Sequence, residues 1–330
     1  MHNAIRDQIE KNLSKHSVNR ARKFAVDVFV TVFRLMFLIS IGYIILFPIL
    51  SATTSAIKTE AARFDVTLYW LPRDVTFEHF KSAFKVLELP DTFIKTLSLN
   101  LVAAFIEVIS CAVTAYGFAR FKFKLSKLLQ GLLLLSIIIP MQFYVVSIVV
   151  NYKHLDFVGV LGLFRALTGI DLRPNILNTN LTFYLPSIFG VGLRSGILIY
   201  IYIQFFAGLP KELEEAAWID GAGPLKTFIR IAVPSSTVVI LVVTVFSMIW
   251  HYNDYYLSIM FFNNDYPLAV QLSNVQQILT STSEYASLSG ATRNSIIMAS
   301  CLIFVIPMLI FYLCVQHKFV QSIDRIGITG

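Results

Sequence analysis

The sequence predicts an all-α membrane protein with six spanning helices. Three observations predict it. Apolar residues make up 56% of the 330 and charged residues only 14%, where soluble domains carry about 45–50% and about 25%. Mean hydropathy is +0.69. Six segments reach or approach the roughly 20 apolar residues that a span requires: 35–56, 94–119, 128–150, 181–206, 233–250 and 296–315.

The N-terminal stretch 1–23 is polar and too long for the n-region of a signal peptide. No A-x-A-like site follows the apolar run, so the first helix is expected to be retained. Residues 24–34 are apolar but broken by Asp27 and Arg34. With 1–23 they form a cytoplasmic tail and an amphipathic lead-in at the membrane surface. Residues 35–93 hold the first span and an outer loop. Leu71-Pro72-Arg73-Asp74 punctuates that loop, and an amphipathic stretch, Phe77 to Leu87, follows. Residues 94–316 form the core, with an outer loop 151–180 marked by Gly159, Gly162, Gly169 and Pro174. Residues 317–330 are a second tail. Lys and Arg are denser in 1–23, 120–127, 208–230 and 317–330 than in 57–94, 151–180 and 251–295. That asymmetry places both termini in the cytoplasm. Arg120-Phe-Lys122-Phe-Lys124 is its clearest marker.

Several function classes drop out. The net charge of +7 reflects these cytoplasmic loops rather than a nucleic-acid partner. Cys111, Cys301 and Cys314 lie in apolar stretches, and no CxxC or Cys/His spacing supports a disulfide framework or a zinc site. A phosphate-binding loop requires a Gly-Lys dipeptide, and the chain has none. There is no G-x-S-x-G, H-E-x-x-H or G-x-G-x-x-G, and Gly190-Val-Gly192 falls inside a span, as a packing site or kink. No cofactor, metal or catalytic residue is therefore expected in this chain. Any energy source lies elsewhere.

The informative stretch is the inner loop 208–234. Pro210 suits a first helical turn. Glu212, Glu214 and Glu215 sit near that turn, where the helix dipole favours anions. Leu213, Ala216, Ala217 and Asp220 share a face by i, i+3, i+4 spacing. Gly221-Ala-Gly223-Pro224 ends the helix, and a second helix starts at Leu225. Physics alone allows either an amphipathic helix resting on the bilayer or a docking element whose alanines admit another surface.

The residues themselves favour docking. Glu215-Ala216-Ala217, Gly221 and Ile231-x-x-Pro234 resemble the EAA loop of ABC-importer permeases, with Val233 where Leu is usual. Ala115-Tyr116-Gly117-Phe118-Ala119-Arg120 is similar to the end of a core helix in carbohydrate permeases of the MalG type. Ile139-Pro140, Trp250-His-Tyr-Asn253-Asp254 and the tail Lys318-Phe319-Val320-Gln321 resemble motifs of the same family. In that tail Ser322 stands where Gly is usual. The resemblance covers roughly 35–330. It implies the type I ABC importer permease fold, in a bacterial cytoplasmic (inner) membrane. It implies a second related permease, two ATPase subunits that bind ATP and Mg, and an extracellular solute-binding protein. Glu215, Ala216, Ala217, Gly221 and Ala222 would then couple this chain to an ATPase, and the solute would be a carbohydrate, in the first instance an oligosaccharide. The rival readings are a permease for another solute, or a secondary transporter. The latter would need an ion-coupling site and usually inverted repeats, and the sequence offers neither.

Two charges lie inside predicted spans. Glu107 and Arg194 each fall roughly 18–20 Å from the cytoplasmic surface by helical rise. A charge at such depth costs about 2.5–3.5 kcal/mol or more and faces a cavity or a partner. Both are expected to face one polar interior, paired directly or through water. The alternative is that Pro186, Gly190 and Gly192 break the fourth segment, so that Arg194 begins a helix. Glu107, Arg194, Trp250 and Asn253 are the candidates for a translocation path, with Glu107 as a packing carboxyl the plainer alternative.

Overall fold

The computed structural model describes the backbone of residues 2–63, 74–156 and 159–327, and the side chains of these except 2–22, 25 and 318–327. The chain divides into two compact units, Met1–Thr76 and Phe77–Gly330. Among the described residues the secondary structure is helical, apart from one antiparallel bridge, Lys58 to Val75, in the first unit.

The first unit is dominated by α1, His2–Ile57. Its portion Val26–Ile57 is long and apolar enough to cross a membrane. Residues 24–34 run unbroken into it, so the expected lead-in is the start of the same helix. Thr31, Ser40 and Thr53 donate to the carbonyls of Asp27, Met36 and Ile49 one turn back, at 2.7–2.8 Å. Hydroxyls satisfied within the helix need no partner in hydrocarbon. Leu71, Pro72 and Arg73 lie outside the described residues.

In the second unit the amphipathic stretch is α2, Glu78–Val86, which buries His79, Ala83 and Val86 at i, i+4, i+7 spacing. The centre of the unit is α3, Asp91–Arg120. Ala103, Ala104, Ala112 and Ala115 are almost fully buried on it, and small residues let neighbouring helices approach closely. Near its N-terminal end Lys95 meets the Asp265 carboxylate at 2.5 Å and lies over the Phe262 ring.

The third and fourth expected spans are broken. Pro140 forces Ile139 into an extended conformation (ψ 117°) because the α region is disfavoured before proline. The segment is therefore α4, Ser126–Ile138, a short turn, and α5, Val145–Lys153. In the loop after α5, α6, Val160–Thr168, is followed by a staple in which Arg173 grips the Asp171 carboxylate at 2.9 and 2.8 Å. That guanidinium holds the Asp171 carboxyl well below the usual carboxylate range. The fourth segment is α7, Leu181–Ile188, and α8, Ser195–Gly208. The break between them carries Gly190 (φ 68°) and Arg194 (φ 58°), so the fourth segment is interrupted and Arg194 stands at the start of a helix, but Glu107 is not left to line the path alone, because it is fully buried.

After α8 come the helix α9, Lys211–Ile219, a helical turn Pro224–Thr227, and a π-helical turn Phe228–Ala232. Pro234 lacks the N–H that the ladder needs. Two residues on, at Ser236, the chain bends by 81° into α10, Thr237–Tyr252. A further helix α11, Leu268–Ser281, leads to α12, Gly290–Gly327. The Tyr252 hydroxyl donates to the Phe304 carbonyl at 2.8 Å, close to Pro307 in α12. Three described helices are long and apolar enough to span, Val26–Ile57, Asp91–Arg120 and Gly290–His317, or four if the bent pair Pro224–Ser235 and Thr237–Tyr252 counts as one. The core lies where α3, α8 and α10 meet, around Cys111, Ala115, Leu198, Tyr202, Phe206 and Val243.

Candidate functional site

The loop 208–234 is rooted in that core. Phe228 and Ala232 are buried, and the Tyr116 ring of α3 packs 4.9 Å from Phe228 and 5.5 Å from Phe206. Glu214 of α9 lies 2.9 Å from Arg120, the last residue of α3, with both side chains 5% exposed. Arg120 also donates to the Leu209 carbonyl at 2.8 Å. One guanidinium thus ties the first turns of the loop to the end of α3.

From this root α9 projects outward. Glu215, Ala216 and Gly221 are exposed, Ala222 is half-buried and Ala217 is buried. The alanines therefore do not share an outer face. Ala217 packs inward, while Leu213, Ala216 and Ile219 look out. Helix α9 ends in a Schellman motif. The Ala222 N–H donates to Ala217 O at 2.9 Å and the Gly221 N–H to Trp218 O at 3.0 Å, with Gly221 left-handed at φ 79°. A cleft of about 530 Å³ beside α9 is lined by Lys122, Lys124, Lys127, Lys211 and Trp218.

A second site lies at the breaks in the spans. A cleft of about 680 Å³ is lined by Gln142, Tyr144, Arg194, Trp250, Asn253 and Tyr255, among others. The Arg194 guanidinium sits over the Trp250 ring, 5.1 Å from its centre. No carboxylate lies within ion-pair distance of it among the described residues. Asn253 donates to the Ile249 carbonyl at 2.8 Å. Asp254 accepts from the Ser258 N–H at 2.8 Å and the Leu257 N–H at 3.3 Å, which caps the next helical turn. The structure brings Arg194, Trp250 and Asn253 to one cleft.

Glu107 does not line it. It is fully buried and forms no pair with Arg194. Its Oε1 accepts from Ser195 Oγ at 2.7 Å and its Oε2 from Ser247 Oγ at 2.6 Å. His251 Nδ1 lies 3.6 Å from Oε2 and donates to the Ser247 carbonyl at 2.9 Å. The His251 Nε2 is buried without a partner. The depth match between the two charges holds at Ser195, the next residue, while the Arg194 side chain leaves on the other side. Ser195, Ser247 and His251 are the residues sequence reasoning missed. The available signal was the i, i+4 pair Ser247/His251 on α10, which places a hydroxyl and an imidazole on one face opposite a membrane-embedded carboxylate.

Broken helices lining an open cleft that carries Arg194, Trp250 and Asn253, with a capped helix projecting beyond them, are the features of a helical membrane transport subunit. The family of binding-protein-dependent transport system inner membrane components matches residues 108–325, and the chain belongs to it. It is 27% identical over 287 residues to the melibiose/raffinose/stachyose import permease protein MelC of Bacillus subtilis, covering 86% of this chain and 91% of that one. It is 26% identical to the trehalose transport system permease protein SugB of Mycobacterium tuberculosis, covering 88% and 94%. It is 25% identical to the sn-glycerol-3-phosphate transport system permease protein UgpE of Salmonella typhimurium, covering 85% and 91%. In fold it resembles a chain of a bacterial ABC transporter involved in the import of the acidic polysaccharide alginate, with TM-score 0.64 and 17% identity over 89% of this chain and 97% of that one. These relatives are transport permeases, not enzymes.

Proposed function

We propose that this chain is one permease subunit of an ATP-driven importer for carbohydrate, an oligosaccharide in the first instance, in a bacterial cytoplasmic (inner) membrane. It works with a second homologous permease, two ATPase subunits that bind ATP and Mg, and an extracellular solute-binding protein. It crosses six times with both termini cytoplasmic, counting α4 with α5 and α7 with α8 as broken spans. Irregular backbone at membrane depth is tolerated where it lines a cavity, and these breaks line one. Arg194, Trp250 and Asn253 contribute to the solute path. Glu215, Ala216 and Gly221 meet the ATPase, and Ala217 and Ala222 set the shape of the helix that does so.

The observation that carries the coupling role is the construction of α9. Its tip is exposed and capped by a glycine turn, while its root is pinned to α3 through Arg120 and Glu214. A surface that pushes α9 therefore moves α3, α8 and α10. The relatives that import melibiose and trehalose support the solute class. A second reading, an anionic solute such as a sugar phosphate, is favoured by one feature, the guanidinium of Arg194 in the cleft with no carboxylate within ion-pair distance among the described residues.

Reconstitution tests both. Proteoliposomes holding the four membrane and ATPase subunits, given binding protein, should take up labelled raffinose or trehalose only with ATP inside. Uptake by this chain alone without ATP would instead establish a secondary transporter. Preference for sn-glycerol 3-phosphate would select the second reading.

A further inference from the structure

We infer that Glu107 is a positioning residue: its buried carboxylate sets the Arg194–Trp250 wall of the cleft without touching the solute. The inference deepens the reading of the cleft as the solute path and rests on it for its consequence in transport.

The argument is one of sequence neighbours. Glu107 holds Ser195 through Oε1 and Ser247 through Oε2, at 2.7 and 2.6 Å, and has His251 beside Oε2. Ser195 is the residue after Arg194, and His251 is the residue after Trp250. One carboxylate from α3 therefore fixes the first residue of α8 and the last turn of α10. The side chains next in sequence project into the cleft and meet at 5.1 Å. Two further facts fit this arrangement. Arg194 adopts φ 58°, a conformation that a non-glycine residue holds only where its surroundings impose it. Both carboxyl oxygens of Glu107 accept short hydroxyl hydrogen bonds, and the residue is fully buried. In transport, a change at Glu107 alters the half-saturation concentration for solute.

The test does not need the solute. In the full-length chain with Trp70→Phe and Trp218→Phe, Trp250 is the sole tryptophan, because the chain has three. Its emission maximum and acrylamide quenching report whether a cation lies over the ring. Arg194→Ala should shift both. Glu107→Leu should produce the larger part of that shift and add nothing once Arg194 is alanine. Glu107→Gln, which keeps an acceptor oxygen, should produce less. Should Glu107→Leu fail to insert, Ser195→Ala removes one bond and must still shift the emission. Unchanged emission in the Glu107 and Ser195 variants, an additive shift, or no response to Arg194→Ala would overturn the inference. Loss of ATP-dependent uptake by the unmutated importer would instead overturn the functional reading and leave the fluorescence result standing.

Discussion

Arg120 and Glu214 form an ion pair, Nε to Oε1 at 2.9 Å, that is 5% exposed on each side chain and joins the end of α3 to the projecting helix α9. The two atoms are close but not aligned as a hydrogen bond, so Coulomb attraction at low exposure carries the contact. Removing one member leaves a charge buried alone, at a cost of about 3–5 kcal/mol. Glu214→Gln should therefore lower the thermal midpoint of the solubilised complex and detach α9 from α3. The double variant Arg120→Met/Glu214→Leu should be more stable than either single one. A double variant no better than the singles would show that the pair is screened by water.

Within this chain, Gly221 should resist substitution for a conformational reason. A Cβ placed there meets nothing within 4 Å, yet φ is +79°. An ordinary L-residue pays about 1–2 kcal/mol for the left-handed region, and asparagine tolerates it better. Gly221→Val should uncouple ATP hydrolysis from uptake, and Gly221→Asn should stay near wild type. Full uptake by the valine variant would sink the coupling role of this turn.

Much of the projecting helix was legible in the sequence because its determinants are local. Pro210, the acidic first turn and Gly221 each act within a few residues. The long apolar runs of α1, α3 and α12 were legible for the same reason. The breaks at Pro140 and at Gly190–Arg194 were harder. Hydropathy does not record that a prolyl ring or a left-handed residue stops the ladder. The partners of Glu107 were least legible, since Ser195 and Ser247 lie 88 and 140 residues away. Equal helical depth brought Arg194 to the right level. It could not say which of two adjacent residues turns inward, because that depends on the rotation of α8 after a break.

Purified alone, the chain should hydrolyse no ATP. A phosphate-binding loop needs successive backbone N–H groups and a lysine beyond a glycine turn, and the sequence has no Gly-Lys pair. A measured ATPase rate from a preparation shown by mass spectrometry to be free of other subunits would overturn the division of labour proposed above.

Gly192 supplies the sharpest steric test of the Glu107 cluster. A methyl group there would lie 2.7 Å from Glu107 Oε1, 2.7 Å from Ser187 Oγ and 3.2 Å from the Ser187 Cα. The last contact is backbone and cannot swing aside. The carboxylate could retreat only by giving up its bond to Ser195. Overpacking of this kind costs about 1–3 kcal/mol, and here it falls on the group that sets the cleft wall. Gly192→Ala should thus lower the thermal midpoint and shift Trp250 fluorescence in the same direction as Glu107→Leu. Gly131→Ala is the control. It lies inside α4, where an added Cβ meets nothing within 4 Å, and a helix interior favours alanine by about 0.5–1 kcal/mol. It should leave the fluorescence unchanged and raise the midpoint slightly. If Gly192→Ala behaves like the control, the close packing of the break against Glu107 is not a feature of the protein in the membrane.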